Sequence, residues 1–461
     1  MIRLFRHYVP FWFLVLAVVE ALVFAGSMYL GEVTRFGEYR PMLDSQGWIN
    51  VLAFVTLMMI NMSVVGLYQR NREEGRAGAL LRVGVAFALA VVEIAIFKLV
   101  LPDIAPWRRS ILVALIVSFW LVLAVRYLFF KLMDEETLDR RVLVIGTGHP
   151  AQQIVELGRK HGSGFRVVGC VEIPGESDQV EQRLKVHLTG PLVNYARMHQ
   201  IDEIVVAISD RRKRLPMHEL MDCKLSGTRV FEFQQFYEQE TGKVILDQLY
   251  PSWFIYSEGF RSGALQAYLK RGFDLLASAA LLSIAWPIML LASVVVWLED
   301  WGKSGILFRQ KRVGLDKRCF DVIKFRSMRA DAEADGVARW ATANDSRITP
   351  VGRFLRRTRI DELPQLWNVL KGDMSFVGPR PERPEFVETL SQRIPYYDER
   401  HRIRPGITGW AQVCYSYGAS EEDAAEKLRF DLYYLKNHSL FLDLMIMIRT
   451  VEVVLLGRGA H

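Results

Sequence analysis

The chain has 461 residues, enough for two or three domains, and 51% of them are hydrophobic, high for a soluble protein. A net charge of +7 admits nucleic acid, anionic lipid or a diphosphate as partner, but no nucleic-acid module is present, so nucleic acid is set aside. The four cysteines, Cys170, Cys223, Cys319 and Cys414, lie far apart with no CxxC, which suits reduced thiols and neither a metal knuckle nor a disulfide framework.

Apolar runs at 9–30, 48–68, 79–101 and 110–130 each approach the roughly twenty residues that cross a bilayer, so a four-helix transmembrane bundle is expected over residues 1–133. Arg3, Arg6, Arg70, Arg72, Arg76, Lys131, Arg140 and Arg141 outweigh Arg35, Arg40, Arg108 and Arg109, which puts both ends of the bundle inside. Glu20, Glu93 and Lys98 fall within the spans, where interhelical pairing is expected.

From Arg140 the pattern alternates strand and helix, as in a parallel α/β sheet, expected over residues 134–262. Strand 141–145 runs into Gly146-Thr147-Gly148-His149-Pro150-Ala151, a GxGxxA variant with Glu172 farther on. This resembles a Rossmann-like dinucleotide fingerprint, in which Gly146 and Gly148 let a helix N-terminus meet phosphate. The same turn also serves as plain fold geometry. A redox enzyme is disfavoured: the lone Tyr-x-x-x-Lys, Tyr127 to Lys131, ends a membrane span. Residues 234–263 read as a connection.

Residues 275–298 are long and apolar enough to span, but Pro287, with Ser283 just before it, predicts a break. Both flanks are basic: Lys270 and Arg271 before, Lys303, Arg309, Lys311 and Arg312 after. If both stay on the cytoplasmic side, the segment at about 272–300 enters and turns back. A kinked spanning helix is the alternative. Residues 430–456 read as an amphipathic stretch lying on the interface.

In 351–384 the acids Asp361 and Glu362 follow Arg353, Arg356, Arg357 and Arg359 on near-helical apolar spacing. These charges fit a salt-bridged helix face, or an anion held beside two acids. Gly378-Pro379-Arg380-Pro381 then holds one guanidinium between two prolines, suited to phosphate or base stacking.

The run DELPQLWNVLKGDMSFVGPRPERPEF resembles the signature of the bacterial sugar transferases, polyprenyl-phosphate phosphosugar transferases. Further matches are Lys270-Arg271-Phe273-Asp274, Phe308-Arg309-Gln310, Arg312-Val313-Gly314, Lys324-Phe325-Arg326-Ser327-Met328 and Arg404-Pro405-Gly406 through Trp410. The resemblance covers about 265–456, and the first half resembles the accessory region of larger members. It implies a membrane protein of α plus α/β class. A four-helix bundle and a Rossmann-like domain would precede a mainly helical monotopic transferase domain at 263–461 with a re-entrant helix. It also implies transfer of a sugar 1-phosphate from a UDP-sugar to undecaprenyl phosphate, with Mg²⁺ as cofactor, at the start of exopolysaccharide or related glycan synthesis.

In that scheme Asp361 is the nucleophile and Glu362 the second member of the catalytic pair. Lys324, Arg326, Arg356, Arg380 and Arg404 are candidates for phosphate oxygens, and Asp361 and Asp373 for the metal. The expected location is the bacterial inner membrane, with the catalytic domain on the cytoplasmic face; membrane-bound domains of this kind suit a homodimer. The alternatives are an inactive membrane scaffold, which the intact acid pair disfavours, and a glycosyltransferase that releases UDP.

Overall fold

The computed structural model describes the chain apart from residues 1, 5–6, 10, 37–44, 69–75, 101–107, 133–138, 161–162, 174–176, 189, 209–214, 250, 258, 261–262, 330–331, 333–344, 416–417, 419 and 457–461. It divides into two compact units, Met1–Tyr237 and Glu238–His461. Of the basic residues used above for orientation, Arg6, Arg40, Arg70 and Arg72 lie outside the described residues, as do the side chains of Arg3, Arg35, Arg76 and Arg108; the Lys98 side chain does too.

After a short antiparallel pairing of Ile2–Leu4 with His7–Val9, the first unit has four helices: α1 (Phe11–Phe36), α2 (Ser45–Val64), α3 (Arg76–Val100) and α4 (Arg108–Leu132). α1 packs against α2 and α4, and α3 against α2 and α4. Many side chains stay exposed on the outside, as Leu22, Leu52 and Trp120 do. Among the described residues, Leu14–Thr34, Gly47–Val64, Arg109–Phe129 and Ala264–Asp300 are long and apolar enough to cross a membrane. The charges inside the bundle are met between helices. Arg126 lies 2.6 Å from Glu20, Tyr68 donates to Glu20 at 2.6 Å, and Asn61 donates to Glu93 at 2.7 Å. An unpaired charge there would be costly, so these contacts tie the bundle together.

A five-stranded parallel sheet follows: β1 (Arg140–Ile145), β2 (Phe165–Val171), β3 (Lys185–Val186), β4 (Glu203–Val206) and β5 (Arg229–Glu232). Its order is β3-β2-β1-β4-β5. Val142–Ile145 and Ile204–Val206 are buried on both faces, as expected of central parallel strands. The order reverses between β1 and β4, the switch point where ligands bind in such sheets. Gly146 and Gly148 sit there, ahead of α5 (His149–Arg159).

In the second unit, after the short helix Pro251–Tyr256, comes α6 (Ala264–Asp300), 37 residues long. The break expected at Ser283 and Pro287 is not an interruption of the helical backbone, which runs through both; Pro287 stands inside the helix, where proline bends rather than ends it. Pro287 has no N–H to give the Ser283 carbonyl, and its ring crowds that carbonyl. Both ends dock on this same unit. Lys270 pairs with Asp443 at 2.7 Å, and Arg271 donates to the Val369 and Leu370 carbonyls at 2.6 and 2.8 Å. At the far end Asp300 pairs with Arg326 at 2.8 Å, and Glu299 accepts from the Val351 amide at 3.0 Å.

Next come an antiparallel hairpin, β6 (Leu307–Val313) and β7 (Cys319–Phe325), and the helices α7 (Pro350–Arg357) and α8 (Gln365–Lys371). β8 (Ser375–Val377) pairs in parallel with β9 (Gly406–Thr408), with α9 (Pro384–Arg393) between them in sequence. α10 (Glu421–Asn437) and α11 (Leu440–Leu456) close the unit. The stretch 430–456 is therefore two helices and not a free interfacial one. Phe430, Tyr434 and Ile446 are buried with Trp410 and Val377, so much of its apolar surface is spent inside the protein.

Candidate active site

The acid pair does not lie on a continuous helix. Thr349 caps α7, its hydroxyl accepting from the Gly352 amide at 2.9 Å. Gly352 is tight against Ser327, whose carbonyl oxygen would stand 2.0 Å from an added Cβ. The helix ends, Arg359 turns left-handed with φ 59°, and Ile360–Glu362 form one 3₁₀ turn before Pro364 starts α8. Two short helices thus present Asp361 and Glu362 on a tight turn. Both are buried.

Their surroundings differ. Glu362 Oε1 accepts from Arg380 Nη2 at 2.9 Å and lies 3.4 Å from Arg359 and 3.7 Å from Lys324. Burial alone would raise its carboxyl, but Arg380, Lys324 and Arg359 outweigh burial and hold it below the ordinary glutamate value. Asp361 Oδ1 is buried with no hydrogen-bond partner among the described residues. Burial, then the charge of Glu362, raises its carboxyl, against the opposing pull of Lys324, Arg356 and Arg359. Lys324 is brought down to about 8, by burial first and by Arg380 and Arg312, with Glu362 opposing.

Lys324 and Arg380, the partners of Glu362, line a small solvent-open cleft with Arg312, Val322, Gln365, Pro381, Gly406 and Ile407. Three cations converge on it, a surrounding that suits a diphosphate. From the sequence, Arg312 counts only as a basic flank of α6 and part of a family match, and Gln365 only as part of the signature run, neither as a site residue. Arg312 faces the cleft with Lys324 because Arg312↔Phe320 and Phe308↔Lys324 are cross-strand partners, which places alternate residues of both strands on one face. Period-two spacing was the available signal, but it informs only once the hairpin is known.

The other candidates disperse. Arg356 donates to Ser327 Oγ at 2.9 Å and still influences Asp361. Arg326 is turned to Asp300 and the Val296 carbonyl, anchoring the end of α6. Arg404 is exposed and donates to the Gly372 carbonyl at 3.1 Å, at the C-terminus of α8. Asp373 pairs with Lys371 at 3.0 Å. No group of three His, Cys, Asp or Glu side chains converges among the described residues. The partnerless Asp361 oxygen next to Glu362 nonetheless fits Mg²⁺, which takes one or two carboxylates and completes its shell with phosphate and water.

In the first unit, Gly146 has φ 122° and already spends its N–H on the Val171 carbonyl at 2.9 Å, while Gly148 caps α5. One of the two amides pointed to for phosphate is therefore engaged by the fold.

Residues 265–457 match the family model described as bacterial sugar transferase, and residues 63–218 match a CoA-binding domain model. The UDP-glucose:undecaprenyl-phosphate glucose-1-phosphate transferase of Escherichia coli (strain K12) is 34% identical over 70% of this chain and 69% of its own length. The chain belongs to the bacterial sugar transferase family. The Xanthomonas campestris pv. campestris protein of the same description is 29% identical over 100% of this chain and 97% of its own. The Aeromonas hydrophila UDP-N-acetylgalactosamine-undecaprenyl-phosphate N-acetylgalactosaminephosphotransferase is 42% identical over 52% of this chain and 56% of its own, so the alignment spans little more than half of that relative.

Proposed function

We propose that this family member is a phosphoglycosyl transferase that moves a sugar 1-phosphate from a UDP-sugar to undecaprenyl phosphate and releases UMP. The observation that carries the reading is the desolvated, partnerless Asp361 oxygen next to Glu362, whose partners Lys324 and Arg380 line a cleft together with Arg312. An ionised carboxylate needs no base to become a nucleophile, only removal from water and an electrophile whose charge is offset.

In the first half-reaction an Asp361 oxygen bonds to the β-phosphorus and the bond to the bridging oxygen breaks. UMP departs with that electron pair, and Asp361 carries the sugar phosphate as an acyl-phosphate. In the second, an oxygen of the lipid phosphate bonds to the same phosphorus, the bond from phosphorus to the Asp361 oxygen breaks, and Asp361 leaves with that electron pair as carboxylate. Lys324, Arg312 and Arg380 hold the diphosphate oxygens, and Glu362 orients Arg380 beside Asp361. Mg²⁺ held by Asp361, when bound, would offset phosphate charge at the reacting centre.

A lipid acceptor keeps its tail in the bilayer, so the site must work at the membrane surface. Docking of both ends of α6 on one unit supports a helix that enters the bilayer and leaves by the same face, with the catalytic unit on the cytoplasmic side of the inner membrane. The role assigned to the product is the first membrane step of exopolysaccharide or related glycan synthesis. The experiment that tests the reading is identification of the nucleotide released from UDP-sugars: UMP for phosphosugar transfer, UDP for transfer of sugar alone.

A further inference from the structure

Arg380 is carried by a segment with few means of holding itself. Its neighbours Pro379 and Pro381 have no N–H. The three carbonyls of Pro379, Arg380 and Pro381 are each taken by a different part of the chain. The Gly406 amide donates to Pro379 at 2.9 Å, Arg400 Nη2 to Arg380 at 3.0 Å, and Arg312 Nη1 to Pro381 at 3.2 Å. Gly406 and Arg312 line the cleft themselves; Arg400 is not among its lining residues.

Arg400 lies in the 3₁₀ segment Tyr397–Arg402 and is buried. Its Nη2 pairs with Asp431 Oδ2 of α10 at 2.8 Å. Nη1 donates to the Tyr397 hydroxyl at 2.7 Å, and Cζ lies 5.1 Å from the centre of that ring. Asp431 is 1% exposed, so the two charges form a buried neutral unit. A buried pair is seldom a net gain over apolar packing. This one delivers a charge-assisted bond to a single backbone oxygen, that of the residue that meets Glu362.

We infer that Arg400, backed by Asp431, is a positioning residue that acts through the main chain of Arg380 and sets the reach of its guanidinium to Glu362 and to a diphosphate oxygen. The inference rests on the reading of the cleft proposed above. Misplacement of such a group by about an ångström is enough to cost activity.

The test is a double-mutant cycle on the full-length protein, read as kcat/KM for UMP release and as UDP affinity by calorimetry. Arg400→Lys keeps the charge but not the planar fork. Both quantities should fall about tenfold or more in the wild-type background and less than about twofold in an Arg380→Lys background. Equal losses in the two backgrounds would overturn the inference, because a merely structural role scales both alike. If Arg400→Lys shows no cooperative melt, Arg400→Gln with Asp431→Asn, neutral at both positions, takes its place in the cycle. A wild-type protein that binds UDP but releases no UMP would strike the reaction and leave the affinity cycle to decide the role of Arg400.

Discussion

Arg380 reaches Glu362 over 2.9 Å, and that contact makes the two neighbouring acids unlike. Glu362 is a satisfied anion among Arg380, Arg359 and Lys324, whereas Asp361 is buried with one oxygen free of any hydrogen bond among the described residues. Environments that push two carboxyls apart assign them different work.

Asp361→Asn should therefore remove the reaction while leaving the fold intact. UMP formation with lipid acceptor present should fall by about 10³-fold or more, the scale of losing a covalent nucleophile. The melting temperature should stay level or rise, because a buried carboxylate with an unmet oxygen is replaced by a neutral amide. Steady-state nucleotide assay and a thermal melt on the same preparation check both.

The pH profile should have two limbs. Asp361 attacks as carboxylate, and its raised value moves the acid limb above the ordinary aspartate range. Lys324, brought down to about 8, loses its charge on the alkaline side, so activity should fall as pH rises through about 8. Lys324→Arg should remove that alkaline limb, since an arginine stays charged there. The link to stability has a defined sign. An acid that holds its proton more tightly when folded loses stability as pH rises from its unfolded to its folded value, so Asp361→Asn should abolish that component of the melt.

Arg380 and Arg404 both stand in runs that match the family signature, but of the two Arg380 is the one that meets the acid pair. Arg380→Lys should lower kcat/KM by about tenfold or more, since one ammonium cannot copy the guanidinium fork. Arg404→Lys, at the exposed end of α8, should cost less than about threefold. The kinetic constants of the two variants, measured side by side, separate these roles.

Much of this was legible beforehand, and what was not has physical causes. The period of the apolar residues and the glycine turn pointed to the membrane helices and the parallel sheet. The Asp361-Glu362 pair stood out because adjacent acids behind four arginines are chemically conspicuous. The turn that presents them did not, because it depends on the left-handed Arg359 and on Pro364, which override an otherwise helical pattern. The cleft also needs long-range partners: Arg312 joins Lys324 only through a hairpin, and Arg400 reaches the Arg380 carbonyl from twenty residues away in sequence. Pro287 announced an end to the helix, but the backbone stays helical through it, and sequence alone does not separate a bend from a stop.

A helix that leaves the bilayer by the face it entered has a direct consequence for labelling. With Cys319 replaced by serine, Lys303→Cys should react with a membrane-impermeant maleimide in inverted vesicles and not in intact cells. Reaction from outside the cell would mean that α6 crosses the membrane.

The most direct test of the covalent scheme is to mix purified protein with UDP-sugars and Mg²⁺ in the absence of any lipid phosphate and to identify the nucleotide released. The account predicts a stoichiometric burst of UMP from one donor, with none from Asp361→Asn. Release of UDP, or no UMP until undecaprenyl phosphate is added, would contradict it.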